Sequence, residues 1–258
     1  MRRPLVVTLV LVTLLVADRA VALPFDPLNS RPVTVTNTPG ETSLQTMLNS
    51  VFAPSVPVYG PAPNADTGQQ LAGMWSLATS PGNIAPALAF EESCPGCESS
   101  NTYGIWSWSA TGLVTAPIFL GASTPGTFGS TALLSWYEGT TLEIVGSFCG
   151  VRVACGVYEG IDSTAFGFYL QTGPNGPKYF TVDDLNPSGA PRALAYQLGT
   201  STNWAIGFED GSDGDFNDGL LKIESLLPVP EPGSLLLFGT GLLAAAGAAR
   251  RRFRTGRT

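Results

Sequence analysis

Histidine is absent from all 258 residues of the chain. That absence removes the most frequent general base, the most frequent zinc ligand and every Ser-His or Cys-His nucleophile. Charge is also scarce, at 13% of residues, and no helical periodicity of ten or more residues runs through the middle of the chain. Against these shortages stand 30 glycines and 21 prolines, a composition that favours strands and turns over helices. The length allows one large domain or two small ones.

Both ends carry patterns unlike the middle. Arg2-Arg3 forms a basic n-region, Leu5–Val16 an apolar h-region, and Ala20-Val21-Ala22 a small-x-small site. The pattern predicts a signal peptide over 1–22, cut between Ala22 and Leu23; the alternative, an N-terminal anchor, is disfavoured because twelve apolar residues are short for a span. At the other end, Val229-Pro230-Glu231-Pro232 precedes an uncharged run over 234–249, followed by Arg250, Arg251, Arg252 and Arg254. As a helix the run is about 24 Å long, somewhat under the ~30 Å hydrocarbon core. The arginines hold its end at the cytoplasmic face.

Pro230, Glu231 and Pro232, the short apolar helix and the basic tail resemble, in that order, the PEP-CTERM sorting signal of Gram-negative exoproteins. The resemblance covers 228–258. It implies export through the Sec translocon and a transient stay in the inner membrane on the C-terminal helix. Cleavage near the motif by an exosortase and delivery to the cell envelope, surface or extracellular matrix then follow. An ordinary C-terminal membrane anchor is the plainer alternative.

Without these ends, residues 23–230 keep five basic side chains against eighteen acidic ones, a net charge of −13. Such a body is expected to repel nucleic acid and to attract divalent cations; the plainer alternative is solubility alone. Its four cysteines, Cys94, Cys97, Cys149 and Cys155, are expected as disulfides in an oxidising compartment. Local pairing Cys94–Cys97 and Cys149–Cys155 is one of three connectivities. A four-thiolate zinc site or a redox Cys-Pro-Gly-Cys are sharper readings, weakened by the second pair's spacing and by the lack of a βαβ pattern.

Residues 23–66 read as a proline-rich leader. Val33-Thr34-Val35-Thr36 alternates as a strand does, and Thr38-Pro39-Gly40-Glu41 has the form of a capping box. Leu44, Met47, Leu48, Val51 and Phe52 then share a helical face. Over 67–227 twelve strands are expected: 71–78, 85–90, 103–109, 116–120, 132–137, 142–148, 151–158, 165–171, 178–182, 193–198, 204–209 and 220–224. Each is short, aromatic or β-branched, and bounded by turn formers. The fold class is all-β, an antiparallel sandwich or jelly roll with a short N-terminal helix.

The stretch over 204–224, WAIGFEDGSDGDFNDGLLKIE, is the richest in chemistry. Asp210, Asp213, Asp215, Asn217 and Asp218 lie among glycines between two alternating apolar segments. Oxygen donors on a bent loop suit a hard cation such as Ca²⁺. Counted from Asp213, oxygen residues occupy positions 1, 3, 5 and 12 (Glu224) of an EF-hand, but position 6 is Asp218 and no helices flank it. The plainer alternative is a hairpin whose Asx side chains cap its own amides. Gly207-Phe208-Glu209-Asp210 and Asp215-Phe216-Asn217-Asp218, with Asn101-Thr102-Tyr103-Gly104-Ile105, resemble a bacterial domain of unknown function that precedes PEP-CTERM signals.

Three functions follow from these readings. The first is a non-enzymatic surface or matrix protein. The second is an exopolysaccharide-binding module using Trp75, Trp106, Trp108 and Trp136 as stacking platforms, with the core face as the duller reading of Trp106 and Trp108. The third, a two-carboxylate glycan hydrolase, would draw on Glu91 or Glu92 with Asp210 or Asp215.

Overall fold

The computed structural model describes residues 31–51, 61–79, 82–91, 101–120, 126–199 and 202–229. The signal peptide with Ala22 and Leu23, the pair Cys94 and Cys97, the motif Pro230-Glu231-Pro232 and the run over 234–249 lie outside them. No helix among the described residues is long and apolar enough to cross a membrane.

Fourteen strands alternate along the described chain: β1 Trp75–Leu77, β2 Asn83–Ile84, β3 Ala87–Glu91, β4 Thr102–Ser109, β5 Gly112–Leu120, β6 Gly126–Tyr137 and β7 Thr141–Gly146, followed by β8 Gly156–Glu159, β9 Phe166–Gln171, β10 Lys178–Phe180, β11 Ala193–Gln197, β12 Trp204–Phe208, β13 Gly219–Ile223 and β14 Leu226–Pro228. They form two antiparallel sheets. One runs β14-β1-β9-β4-β5 with β10 also on β9; the other runs β11-β12-β13-β3-β6-β7-β8 with β2 on β6. The fold is an all-β antiparallel sandwich.

The core between the sheets follows from the period of two along each strand. Tyr103 and Ile105 of β4 face inward with Phe166, Phe168 and Leu170 of β9; Ile206 and Phe208 of β12 meet them from the other sheet with Leu221 and Ile223. The ring of Tyr103 sits edge-on to Phe208, centroids 5.9 Å apart. A second apolar cluster lies on the far side of the β11-β12-β13 sheet. There Leu194, Tyr196, Leu198, Ala205 and Leu220 are covered by Leu44, Met47 and Leu48 of helix α1 (Leu44–Val51).

Several boundaries differ from the sequence reading. Helix α1 is capped by Ser43, whose Oγ accepts the Thr46 amide at 3.3 Å. Thr38-Pro39-Gly40-Glu41 is a tight turn instead of a capping box: the Glu41 amide donates to the Thr38 carbonyl, and Gly40 sits at φ +98°. Proline followed by a left-handed glycine is the signature of a type II turn, and that turn preference overrides the cap. Val33 and Val35 do alternate inward, but their amides are satisfied by the side chains of Gln69 and Asp66, so the segment is an extended strap outside any named strand. The strand expected over 71–78 begins only at Trp75, and that over 85–90 begins at Ala87, after Pro86. Residues 151–155 form a loop closed by the Cys149–Cys155 disulfide, which displaces the first half of the strand expected over 151–158. Strand β14, after the left-handed Ser225, was not expected at all.

Candidate metal centre

The connection from β12 to β13 is the acidic stretch. Phe208 pairs with Gly219 at the mouth of the hairpin, leaving residues 209–218 as the loop. A left-handed Phe216 (φ +54°), its ring buried beneath the second apolar cluster, separates Asp215 from Asn217. Both of those polar residues are only 1% exposed. The turn reverses in little space: a Cβ on Gly219 would lie 2.0 Å from the Tyr103 hydroxyl, which donates to the Asp218 carbonyl at 2.9 Å.

Most of the acids already have protein donors. Glu209 accepts from the Gly211 amide at 2.8 Å and the Phe216 amide at 3.3 Å. Asp218 accepts from the Asp210 amide at 2.6 Å, and Asp210 from the Asn101 side-chain amide at 2.8 Å. Asp213 accepts from the Thr38 hydroxyl at 3.0 Å. Asp215 is the exception. Neither of its buried carboxylate oxygens has a hydrogen-bond partner, and the side-chain oxygen of Asn217 is equally bare. An isolated buried carboxylate is costly enough that it ordinarily takes up a proton, a partner or a metal.

Two groups of carboxylates share Asp215. One is Glu209, Asp215 and Asp218; the other is Glu41, Asp213 and Asp215; within each, the oxygens lie within 4.8 Å of one another. Crowded negative charge shows in the acidities. Burial pushes Glu209 up to about 7, helped by the charges of Asp213 and Asp215 and opposed by the Phe216 amide. Burial likewise pushes Asp218 up to about 9, with the Asp210 charge adding to it. Glu41 is raised by burial, against the Asn217 hydrogen bond that favours its charged form, and the close approach of the Asp215 carboxylate raises it further. Arg192 does not relieve this: it donates to the Gly211 carbonyl and lies over the Tyr179 ring at 4.6 Å.

The donor set is all oxygen, and its buried member lacks any other partner, so these residues can hold a hard metal ion. The structure brings Asp215 together with Asp218 in one group and with Asp213 in the other, and turns the Asn217 amide nitrogen to Glu41 and Thr42. It turns Asp210 toward Asn101, and pairs Glu224 with Lys222 at 3.4 Å. Glu209 and Glu41 belong to these carboxylate groups but are not among the candidates read from the sequence. Glu209 was legible as the polar end of an alternating strand; Glu41 was hidden by its place in the apparent capping box.

The other sequence candidates fall elsewhere. The stretch over 101–105 does adjoin the acidic loop, through Asn101 and Tyr103. Trp75, Trp106 and Trp136 are buried, and Trp108 is half-buried. Trp106 points away from Ile105 and the inter-sheet core; it lies edge-on to Phe180 and donates to the Phe168 carbonyl at 3.0 Å. The face it shares with Trp108 is therefore the outer face of its sheet, covered at Trp106 by β10.

An antiparallel sandwich with an oxygen-lined acidic loop is thus the class that fold and site define. Residues 228–252 match the PEP-CTERM protein-sorting motif. No curated protein matches the chain at a significant level. Among solved structures, the chain is similar to a high-affinity mannose-binding lectin of Ralstonia solanacearum, at 14% identity and TM-score 0.32, over 62% of this chain and 99% of that one. It is also similar to the Chromobacterium violaceum lectin CV2L, solved with alpha-methyl-fucoside, at 12% identity and TM-score 0.28, over 62% and 100%. A third is the C-terminal domain of the BC2L-C lectin from Burkholderia cenocepacia, at 14% identity and TM-score 0.31, over 63% and 99%. Likeness at this level carries no argument about function.

Proposed function

We propose that this chain is an exported, non-enzymatic surface or matrix protein, processed by an exosortase at Pro230-Glu231-Pro232, whose acidic loop binds Ca²⁺. The sorting half of the reading draws on the match over 228–252. The calcium half rests on one observation: both oxygens of Asp215 are buried without a partner. Glu209, Asp215 and Asp218 would hold the ion, with the Asn217 oxygen beside them. Ca²⁺ suits such a set better than Mg²⁺, which demands a near-ideal octahedron and sheds water reluctantly. A bound divalent ion supplies the positive charge that this site otherwise obtains from protons on Glu209 and Asp218.

The test is thermal unfolding of the full chain in Ca²⁺ and in EDTA. An ion at a hundred times its Kd stabilises by about 2.7 kcal/mol, roughly 5–10 °C for a body of this size. Asp215→Asn abolishes that shift, and in EDTA it unfolds no earlier than wild type, because it removes an unpaired buried charge. Superimposable curves in Ca²⁺ and EDTA would overturn the calcium reading. Sorting is tested separately by intact mass of the mature protein, which should lack residues 1–22 and everything beyond a cut near Pro230. Retention of the arginine tail defeats it.

A further inference from the structure

We propose that Asp215, common to the two carboxylate groups, also joins Glu41 and Asp213 around a cation that clips the N-terminal strap, residues 31–51, onto the sandwich, so that the metal strengthens docking of the strap. The inference rests on the metal-binding reading of the acidic loop and adds to it a ligand from a segment more than 160 residues away in the chain.

The strap runs along the loop over residues 36–42. The Thr36 amide donates to the Gly214 carbonyl at 2.9 Å, and its hydroxyl to the Asp213 carbonyl. The Thr38 hydroxyl reaches the Asp213 carboxylate, and the turn at Pro39-Gly40 then brings Glu41 round. The Asn217 amide nitrogen donates to the Thr42 carbonyl at 3.1 Å and reaches Glu41 at 3.4 Å. Two residues later Ser43 caps helix α1, whose three buried side chains cover the outer face of β11, β12 and β13.

These contacts set strap against loop with a conflict at the centre. The carboxylate oxygens of Glu41, Asp213 and Asp215 lie within 4.8 Å of one another, and both Asp215 oxygens are buried and unpartnered. At that separation like charges repel strongly unless a cation lies among them. Without the ion, the repulsion works against a strap otherwise held by the Arg31–Asp183 ion pair, by Gln69 and Asp66, and by the apolar face of an eight-residue helix. With it, one carboxylate from the strap and two from the loop become ligands of a common centre, and the repulsion becomes a cross-link. Sites in extracellular modules commonly bind Ca²⁺ in the range of about 10⁻⁴–10⁻³ M. A clip of that affinity is loose where calcium is scarce and tight where it is plentiful.

The experiment is hydrogen exchange on the full chain, wild type and Glu41→Gln, in Ca²⁺ and in EDTA, with calorimetric titration of Ca²⁺ alongside. Glutamine keeps the acceptor for Asn217 and removes the charge. In wild type, Ca²⁺ is expected to slow exchange in both 209–218 and 33–51, by about tenfold in the strap, an ordinary coupling between sites. In Glu41→Gln, Ca²⁺ still binds and still protects 209–218, but protection of the strap is lost. If Ca²⁺ binds wild type and protects the loop but not the strap, or protects the strap equally in Glu41→Gln, the clip is wrong and the metal site stands. If wild type shows neither binding heat nor protection anywhere, the metal site itself falls, and the clip with it.

Discussion

Two loops of nearly equal length join neighbouring antiparallel strands, 147–155 between β7 and β8 and 209–218 between β12 and β13. The first is closed covalently by Cys149–Cys155 and turns apolar side chains outward, Phe148 and Val151 being 67% and 70% exposed. It is anchored over residues 152–154, where the Arg152 carbonyl accepts from the Leu120 amide, Val153 enters the core and Ala154 donates to the Ile118 carbonyl at 2.9 Å. The second has no cross-link of its own and turns its polar side chains inward, with Glu209, Asp215 and Asn217 all buried. One loop is therefore held by a bond that ignores pH and metal. The other is held by groups whose charges oppose one another until protons or a cation intervene. Loop closure costs entropy in either case; the two differ in what sets the compensation, the redox state of the surroundings for one and its ionic content for the other.

The largest expected contrast is in the response to pH. Glu209 has its folded-state acidity moved from 4.5 up to about 7, and Asp218 from 3.8 up to about 9, both first by burial. A carboxyl group raised in this way favours the folded state in its protonated form. The stability it contributes is complete below its unfolded value and is lost as pH rises through the folded one. In EDTA the melting temperature should therefore fall progressively from about pH 5, through about 7, toward 9. In saturating Ca²⁺ the deprotonated groups are ligands, and the fall should vanish or reverse. Melting curves over that range, with and without Ca²⁺, check this. A flat profile in EDTA would mean that the acids of 209–218 are solvated, and the contrast between the loops would fail.

The same contrast separates what the sequence made legible from what it hid. Strand interiors such as 103–109 and 204–208 were readable because alternating aromatic and aliphatic residues have only one sensible arrangement in a sandwich. The disulfide loop was half readable: its cysteines were evident, but the apolar residues between them, Val151 and Val153, imitate a strand. For the acidic loop, composition announced the chemistry, yet not its geometry. Asp210, the first of the candidates along the chain, turns aside to Asn101, while Glu41 enters from the leader. Nothing local to Glu41 marks it. Thr38-Pro39-Gly40-Glu41 satisfies the pattern of a cap and of a turn alike, and only the position of Ser43 nearer the helix decides between them.

The smaller effect belongs to the disulfide. Closing a loop of this size removes chain entropy from the unfolded state worth about 2 kcal/mol, roughly 4–8 °C in a domain of this length. The double substitution Cys149→Ser with Cys155→Ser should lower the melting temperature by that amount, and by the same amount in Ca²⁺ and in EDTA. Equality is the informative part, because sites that share no partners have additive effects. The hydrogen bonds from Ala154 to Ile118 and from Leu120 to Arg152 tie the loop to β5, and β5 belongs to the sheet opposite the one that carries the acidic loop. Both loops also hang on one sheet, with β3 and β6 between them, so a calcium shift that shrank in the double variant would mean that strain passes along that sheet or through the shared core. The two loops would then be one coupled device, with redox state and metal acting on the same equilibrium.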